Sequence, residues 1–364
     1  MANRQNKPNF KNSFFLSLAF EQAKVNVGST KSNPSVGCVV EKNGAIVSSG
    51  RTSFNGRPHA EYNALNKNRN FENSNIYITL EPCSHYGFTP PCTNIIIKKK
   101  IKNVYYSSHD CDLRSSNKSK KILKKNKISV KSGILKNYGL NFYKSYYLQH
   151  SNDLPLIDGK IAISKDYFTK NKKSKWITNV YSRKRSHLIR SMYNCIISTS
   201  KSINDDNSLL TCRINGLEKK SPDLIILDRY LKLNKKLKLI NNVKNRKIFL
   251  FTSSTNRNKI FYFKKKGIKV IKLQFLKNSK DFKKLFLILK KMKYSRILIE
   301  SGLTFMNFLI KNKFMNNLYI FKTLQKLKQN GINYSRSNLI KKIKLNNKIN
   351  VNLYGDELYK ERLK

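Results

Sequence analysis

The stretch 57–92 constrains this chain more than any other, because it gathers the donors of a metal centre into one short segment. It reads R-P-H-A-E-Y-N-A-L, then Y-I-T-L-E-P-C-S-H-Y-G-F-T-P-P-C, and supplies His59, Glu61, Cys83 and Cys92. Zinc takes nitrogen and sulfur donors tetrahedrally, and a catalytic zinc keeps one position open for water. His59, Cys83 and Cys92 fill three positions, and Glu61 is left free to move protons. The alternative is two buried cysteines near a surface histidine, since free cysteine often packs as a small hydrophobe. H-A-E alone would not decide; E-P-C further on and a proline-flanked second cysteine favour the metal.

The surrounding pattern is α/β. Residues 13–26 pair Phe14 with Leu18 and Phe15 with Ala19 at helical spacing. Two short strands, V-G-C-V-V and A-I-V-S-S, meet at Asn43-Gly44, a dipeptide suited to a tight hairpin turn. A helix is expected from His59 to Asn68, a strand from Asn75 to Leu80, and a helix opened by Pro91 and running to Lys99. Strands at 104–107 and 128–132 flank a basic helix near 116–125. The metal donors thus lie at or near helix starts, where thiolate is favoured over thiol. The Asn-, Tyr- and Ser-rich stretch 137–153 is a plausible boundary. Beyond it a second series follows: strands at 156–164, 194–199, 223–227, 247–252, 268–271, 296–299 and 318–322, with helices at 180–192, 281–292 and 304–311. Strands alternating with helices imply layered α/β domains. The Lys/Asn-rich tracts 231–246 and 340–352 read as solvated loops or strand edges.

At 364 residues, two domains are expected, since single cores rarely grow past about 250–300 residues. No apolar run of about 18 residues is present to span a membrane, and the first ten residues lack the apolar segment of a secretory signal. Six scattered cysteines suit a reducing cytoplasm better than a disulfide scaffold. The net charge of +54, from 74 Lys+Arg against 20 Asp+Glu, would serve a nucleic-acid binder. Yet the lysines are spread from Lys98 to Lys364 rather than set in one stripe. Asn, Ile, Tyr and Phe are abundant too, as AT-rich codons would produce. The charge is read as drift. No G-x-G-x-x-G or G-x-x-x-x-G-K-[ST] occurs, so a nucleotide would have to bind another way.

H-x-E followed by P-C resembles the zinc deaminases of nucleobases, in which the glutamate is not a ligand. Their usual second cysteine follows after two residues; here eight intervene. P-C-S-H-Y-G-F-T-P-P-C is similar to the signature of the bifunctional riboflavin-biosynthesis family, a pyrimidine deaminase fused to a pyrimidine reductase. N-P-S-V-G at 33–37 matches as well. The resemblance implies a cytidine-deaminase-like α/β/α domain (1–145) and a dihydrofolate-reductase-like α/β domain (152–364). It implies zinc on His59, Cys83 and Cys92, Glu61 as proton carrier, and Asn33 at the substrate. His85, inside the motif, is expected to be structural or substrate-facing rather than a ligand.

In the second half, K-I-A-I-S at 160–164, S-K-W-I-T at 174–178, D-D-N-S-L-L-T-C-R at 205–213 and E-S-G-L-T at 300–304 resemble reductase motifs of that family. The resemblance brings NADPH to Ala162, Trp176, Asp205 and the segment Gly302, Leu303, Thr304, Phe305, Met306, Asn307 and Phe308. It brings the ribose-phosphate substrate to Ser174, Arg190, Leu210, Arg213 and Glu300. Arginine suits forked phosphate contacts, but Trp176 could equally be core, and Arg190 and Arg213 surface charge. The chain departs from the family at four points. Asp166-Tyr167 stands for the usual Asp-Gly. D-D-N-S-L-L has one residue too many, leaving Leu209 and Leu210 as rivals. Lys201 replaces a usual threonine, and the late P-K-L-L-G-like segment is not legible. Such erosion fits a drifted working reductase or one losing activity.

The expected activity is hydrolytic deamination of 2,5-diamino-6-(5-phosphoribosylamino)pyrimidin-4-one with hydroxide supplied by zinc, then NADPH-dependent reduction of the product's ribose to ribityl. The expected partners are this small phosphorylated substrate and further copies of the chain, with no membrane. Two rivals stand beside it. One is a zinc deaminase of nucleic-acid bases with a basic C-terminal RNA-binding module. The other is a binding scaffold with structural zinc, which would need four protein ligands.

Overall fold

The computed structural model describes residues 7–241, 243–273 and 276–364. Residues 1–6, part of the segment read above for a secretory signal, lie outside them. The chain divides into two compact units, Met1–Asp153 and Leu154–Lys364. No helix among the described residues is long and apolar enough to cross a membrane.

The first unit is built from α1 (Lys7–Lys24), β1 (Gly37–Lys42), β2 (Ala45–Arg51), α2 (Ala60–Leu65), β3 (Asn75–Leu80), α3 (Cys92–Lys98), β4 (Asn103–Ser108), α4 (Lys118–Lys125), β5 (Ser129–Ser132), α5 (Lys136–Phe142) and α6 (Lys144–His150). Its sheet has the order β2-β1-β3-β4-β5, antiparallel on the β2 side and parallel from β3 to β5. The β1–β2 hairpin turns at Asn43 and Gly44, both at positive φ (52° and 88°), the requirement that makes Asn-Gly a hairpin signal. Side chains of adjacent strand residues point to opposite faces, and two glycines show what covers each. A Cβ on Gly37 would collide with the α1 backbone at Ala19, and one on Gly50 with the α2 backbone at Ala60 and Ala64. Because Gly50 pairs with Cys38, not Gly37, the two helices cover opposite faces. This is an α/β/α sandwich.

The polar stretch 137–153 is not an open linker. It folds largely as α5 and α6, anchored by Tyr143, which is buried and whose hydroxyl bonds Thr79 Oγ1 (2.5 Å) and Ser35 O (3.2 Å).

The second unit contains β6 (Leu156–Ile163), β7 (Lys170–Asn171), α7 (Val180–Arg190), β8 (Cys195–Thr199), α8 (Ser200–Asp206), β9 (Asp223–Leu227), α9 (Lys238–Asn241), β10 (Ile248–Thr252), α10 (Arg257–Lys265), β11 (Lys269–Lys272), α11 (Ser279–Lys291), β12 (Arg296–Ile299), α12 (Leu303–Lys311), β13 (Asn317–Thr323), β14 (Gly331–Ile332) and β15 (Asp356–Arg362). Eight strands form one sheet, β11-β10-β9-β8-β12-β6-β13-β15, parallel except for the antiparallel edge strand β15. Alternate residues of each central strand enter separate cores. Ile197, Ile225, Phe251 and Ile299 meet α11 and α12 residues on one face, while Ile196, Ile226, Leu250 and Leu298 meet Ile189, Ile203 and Phe263 on the other. A parallel sheet covered on both faces reads as continuous apolar runs, as these strands do.

Two expectations need correction here. The tract 231–246 is not simply a solvated loop, because Leu231, Leu233, Leu237, Leu239 and Ile240 are buried in the second core. The buried carboxylate of Asp228 pins its start by accepting from Lys232 N (2.8 Å) and Leu233 N (2.7 Å). In 340–352, Ile340 is likewise fully buried. Tyr167 keeps a left-handed backbone (φ 67°) where a glycine would be relaxed, so the turn after β6 persists without it. Its ring packs on the first core, with Lys322 Nζ 4.9 Å from its centroid.

Candidate active site

In the first unit, His59 is the N-cap residue of α2 and Cys92 the first residue of α3, two helices that pack on each other. Cys83 follows β3 on an extended segment; its carbonyl accepts from Thr93 N (3.2 Å), and its sulfur from Cys92 N (3.3 Å). His59 Nδ1 lies 3.6 Å from Cys83 Sγ and 3.5 Å from Cys92 Sγ. The edge of a zinc tetrahedron with Zn–S near 2.3 Å and Zn–N near 2.05 Å is about 3.6 Å. Both histidine–sulfur distances therefore fit a shared zinc, and all three donor atoms lie within 4.8 Å of one another. Among the described residues this is the one group of three His, Cys, Asp or Glu side chains able to share an ion. His85 is not in it; its Nδ1 bonds Ser115 Oγ at 2.7 Å.

Glu61 sits in the first turn of α2 and is only 3% exposed. Burial, reinforced by the Cys83 sulfur beside it, raises its carboxyl to about 7. Hydrogen bonds from Cys92 and His59 favour the Cys83 thiolate and outweigh its burial. His59, Glu61 and Cys83 line one cavity of about 80 Å³ together with Asn33, Arg57, His85, Asp110, Arg114 and Tyr146. Asn33, expected at the substrate, lines it while donating from Nδ2 to Gly56 O (2.8 Å). Glu81, the glutamate of E-P-C, is a structural anchor. It accepts from Ser119 Oγ (2.7 Å), Asn117 N (3.2 Å) and Asp110 N (3.3 Å).

In the second unit, Glu300 follows β12, at the carboxyl ends of the parallel strands where such sheets bind ligands. Arg190 grips it with a two-pronged pair, Nε–Oε1 2.6 Å and Nη2–Oε2 2.8 Å, and Lys160 Nζ stands 3.7 Å away. Burial pushes Glu300 upward, but Arg190 and Lys160 prevail and hold it at about 2. This alters the expectation for Arg190. Its fork is committed to Glu300, with Nη1 on Thr211 O (3.1 Å), so Arg190 organises Glu300 rather than offering a free fork to phosphate. Arg213 is exposed, with a weak 3.3 Å bond to Thr211 Oγ1. Leu210 is buried at φ 52°, and its carbonyl, like those of Leu209 and Pro222, accepts from Arg246. Its side chain is in the core, so substrate contact there is left to backbone.

The residues expected at NADPH fall largely along one network. Trp176 is 53% exposed under the Arg183 guanidinium (4.7 Å), which excludes a core role. Ser174, also exposed, bonds the backbone of Trp176 (3.2 Å). Lys175 Nζ ties this loop to Asp206 O (2.9 Å), and Asp205 is paired with Lys170 (2.9 Å) and Lys201 (3.4 Å). Both lysines lie over the Tyr334 ring, and Tyr334 O accepts from Thr304. Gly302, the N-cap of α12, lacks a side-chain cap, leaving first-turn amides for an anion; Gly302 N itself donates to Ser202 Oγ (3.0 Å). These features suit a dinucleotide phosphate. Within 302–308, however, Leu303 and Met306 point into the core, Phe305 and Phe308 pack on it, and Asn307 binds Ser337 O (2.6 Å) and Leu339 N (3.1 Å). Helix periodicity takes those side chains away from a ligand and leaves the first-turn backbone and Thr304. Ala162, on β6, is half-buried against the second core.

Sequence reasoning missed Arg57 and Lys160. Lys160 lies in K-I-A-I-S but carries no signal of its own; Arg57 adjoins the metal motif but shows its setting only in three dimensions.

Residues 10–108 match the cytidine and deoxycytidylate deaminase zinc-binding region family, and residues 157–323 the RibD C-terminal domain family. The riboflavin biosynthesis protein RibD of Aquifex aeolicus is 30% identical over 316 residues, 84% of this chain and 85% of that protein. The diaminohydroxyphosphoribosylamino-pyrimidine deaminase of Buchnera aphidicola from Schizaphis graminum is 40% identical over 146 residues, 40% of this chain and 99% of that protein. Among solved structures, RibD of Acinetobacter baumannii superposes with a TM-score of 0.81 at 25% identity, over 97% of this chain and 98% of that one. The expected pairing of a deaminase-type α/β/α unit with a reductase unit holds.

Proposed function

From the premise that this chain belongs to the RibD family of bifunctional riboflavin-biosynthesis enzymes, we propose how its residues divide the two reactions. The chain is a zinc-dependent deaminase of 2,5-diamino-6-(5-phosphoribosylamino)pyrimidin-4-one and an NADPH-dependent reductase of the deaminated product's ribose. The observation that carries the site assignment is the pair of tetrahedral-edge distances from His59 to Cys83 and Cys92 beside a buried carboxylate.

His59, Cys83 and Cys92 would hold zinc, which when bound supplies the Lewis acidity that makes hydroxide available near neutral pH. Glu61 takes one proton from the attacking water and gives it to the ring nitrogen, then carries the remaining hydroxyl proton to the amine, which departs as ammonia. Water and the amine-bearing ring carbon thus become a ring carbonyl and ammonia. Asn33, on the cavity wall, orients the ring. In the second unit NADPH supplies the hydride and the protein supplies alignment. The first-turn amides of α12, Thr304, Trp176 and Asp205 hold the cofactor. Glu300, kept ionised by Arg190 and Lys160, orients the ribose hydroxyls, and Arg213 and Ser174 face the phosphate end.

The spread of lysine over both units supports a small-molecule enzyme rather than a nucleic-acid one. Six unpaired cysteines support a cytoplasmic setting. A homo-oligomer belongs to the same proposal on family grounds. The test follows ammonia release and NADPH oxidation together on the diamino-pyrimidinone phosphate. Both signals are expected from the wild type and neither from Glu61→Gln, in which added deaminated product should restore NADPH oxidation alone. NADPH oxidation without prior ammonia release would refute the order; tight stoichiometric tRNA binding with neither signal would favour the rival.

A further inference from the structure

The deaminase substrate carries a phosphate, yet the buried acids on its cavity wall, Glu61, Glu81 and Asp110, are all of the wrong charge to receive one. Two arginines line the same cavity. Arg114 is spent: Nε and Nη2 both bond Asp112 (2.9 and 2.5 Å), and its side chain is 67% exposed. Arg57 has no carboxylate within ion-pair reach among the described residues, and it is held in place by neutral groups. Its Nη1 donates to Thr89 Oγ1 (2.7 Å), and its guanidinium lies over the Phe88 ring, 5.4 Å from the centroid. Phe88 itself is 94% exposed. The backbone leading into Arg57 is fixed as well. Asn33 Nδ2 binds Gly56 O, and Gly56 (φ 92°) sits so close to Thr30 O that no side chain fits there.

Phe88 and Thr89 both belong to the eight residues between Cys83 and Cys92. We propose that this long interval exists in the molecule as a clamp for Arg57, and that Arg57 receives the 5-phosphate of the substrate in the deaminase cavity. A guanidinium stacked on an aromatic face and steadied at one nitrogen keeps its other N–H groups ordered for a forked phosphate contact. The clamp would make the cavity selective for phosphorylated pyrimidines. The inference rests on the deaminase reading above.

The experiment measures ammonia release by the zinc-loaded full chain from the phosphorylated substrate and from its dephosphorylated riboside. For Arg57→Ala, KM for the phosphorylated compound is expected to rise roughly 10–100-fold, the range of a charge-assisted contact. Its kcat should stay within a few-fold, and its KM for the riboside should not move. Arg57→Lys should fall between, because a point charge lacks the fork. Phe88→Ala removes an exposed ring and leaves folding intact; its KM should rise about 2–5-fold, as for an exposed cation–π contact. Substrate Kd on the non-reacting Glu61→Gln background should rise with Arg57→Ala by the same factor as KM. An unchanged KM in Arg57→Ala, or equal loss on both compounds, overturns the clamp while leaving the deaminase reading intact. A wild type that releases ammonia from neither compound overturns both.

Discussion

Each unit buries a glutamate with a chemical task at its site, and these two, Glu61 and Glu300, sit at opposite ends of the carboxyl range. Glu61 is 3% exposed with a sulfur beside it, and its carboxyl is raised to about 7. Glu300 is 8% exposed with a guanidinium and an ammonium beside it, and its carboxyl is lowered to about 2. Burial pushes both carboxyls upward; at Glu61 it prevails, whereas at Glu300 Arg190 and Lys160 override it. The first arrangement suits a group that must take up and release a proton. The second suits a fixed charge that orients a ligand. The pair shows one residue type given a chemical role in one unit and a positional role in the other.

Exchanging each carboxylate for an amide tests that division. Glu61→Gln should lower ammonia release by about 10²–10⁴-fold, the usual worth of a general acid–base group, while reduction of supplied deaminated product stays at the wild-type rate. A comparable loss in reductase rate would erase the contrast. Arg190→Met leaves Glu300 buried with only Lys160 nearby. Breaking a buried pair in this way is expected to destabilise the second unit by about 3–5 kcal/mol, read as a lower denaturation midpoint. The pH dependence follows from the same pair. A carboxyl depressed from about 4.3 in the unfolded chain to about 2 stabilises the fold at all pH values above about 4.3. That contribution, on the order of 3 kcal/mol, is lost as pH falls from about 4.3 through 2, and Arg190→Met should flatten the acid limb of the stability profile. The smallest effect is thermal: Glu61→Gln should leave the first unit's stability within about 1 kcal/mol of wild type, because burial already disfavours the charge that the substitution removes.

The two sites also differ in how far sequence alone reveals them. His59, Glu61, Cys83 and Cys92 are close along the chain, and metal chemistry restricts which residue types can occupy them, so the cluster was legible. The family resemblance singles out Glu300 and Arg190 but not their pairing, because residues 110 apart in sequence meet only once β8 and β12 pair. The Asn43-Gly44 turn and most strands could be read from local pattern. Residues 137–150 could not, since their composition is polar and their helices depend on the burial of Tyr143. Nor could the leucines of 231–240, which are masked by interleaved Lys and Asn. At α12 the motif marks the whole segment, but periodicity sends Leu303 and Met306 inward, a distinction that a motif does not carry.

The strand order of the second sheet has a consequence for how the protein is made. In the first unit β2 can pair with β1 as soon as it leaves the ribosome, since Lys42 sits against Ala45. β6 has no such neighbour in its own vicinity. Its sheet partners are β12, with Leu156 against Arg296, and β13, with Asp158 against Asn317. At translation speeds of about 5–20 residues per second, the apolar run L-I-D-G-K-I-A-I therefore waits roughly ten to thirty seconds with both edges open. During that interval the nascent second unit is a template for strands of other chains. Its yield on expression should therefore depend on chaperone supply and temperature far more than that of the first unit alone.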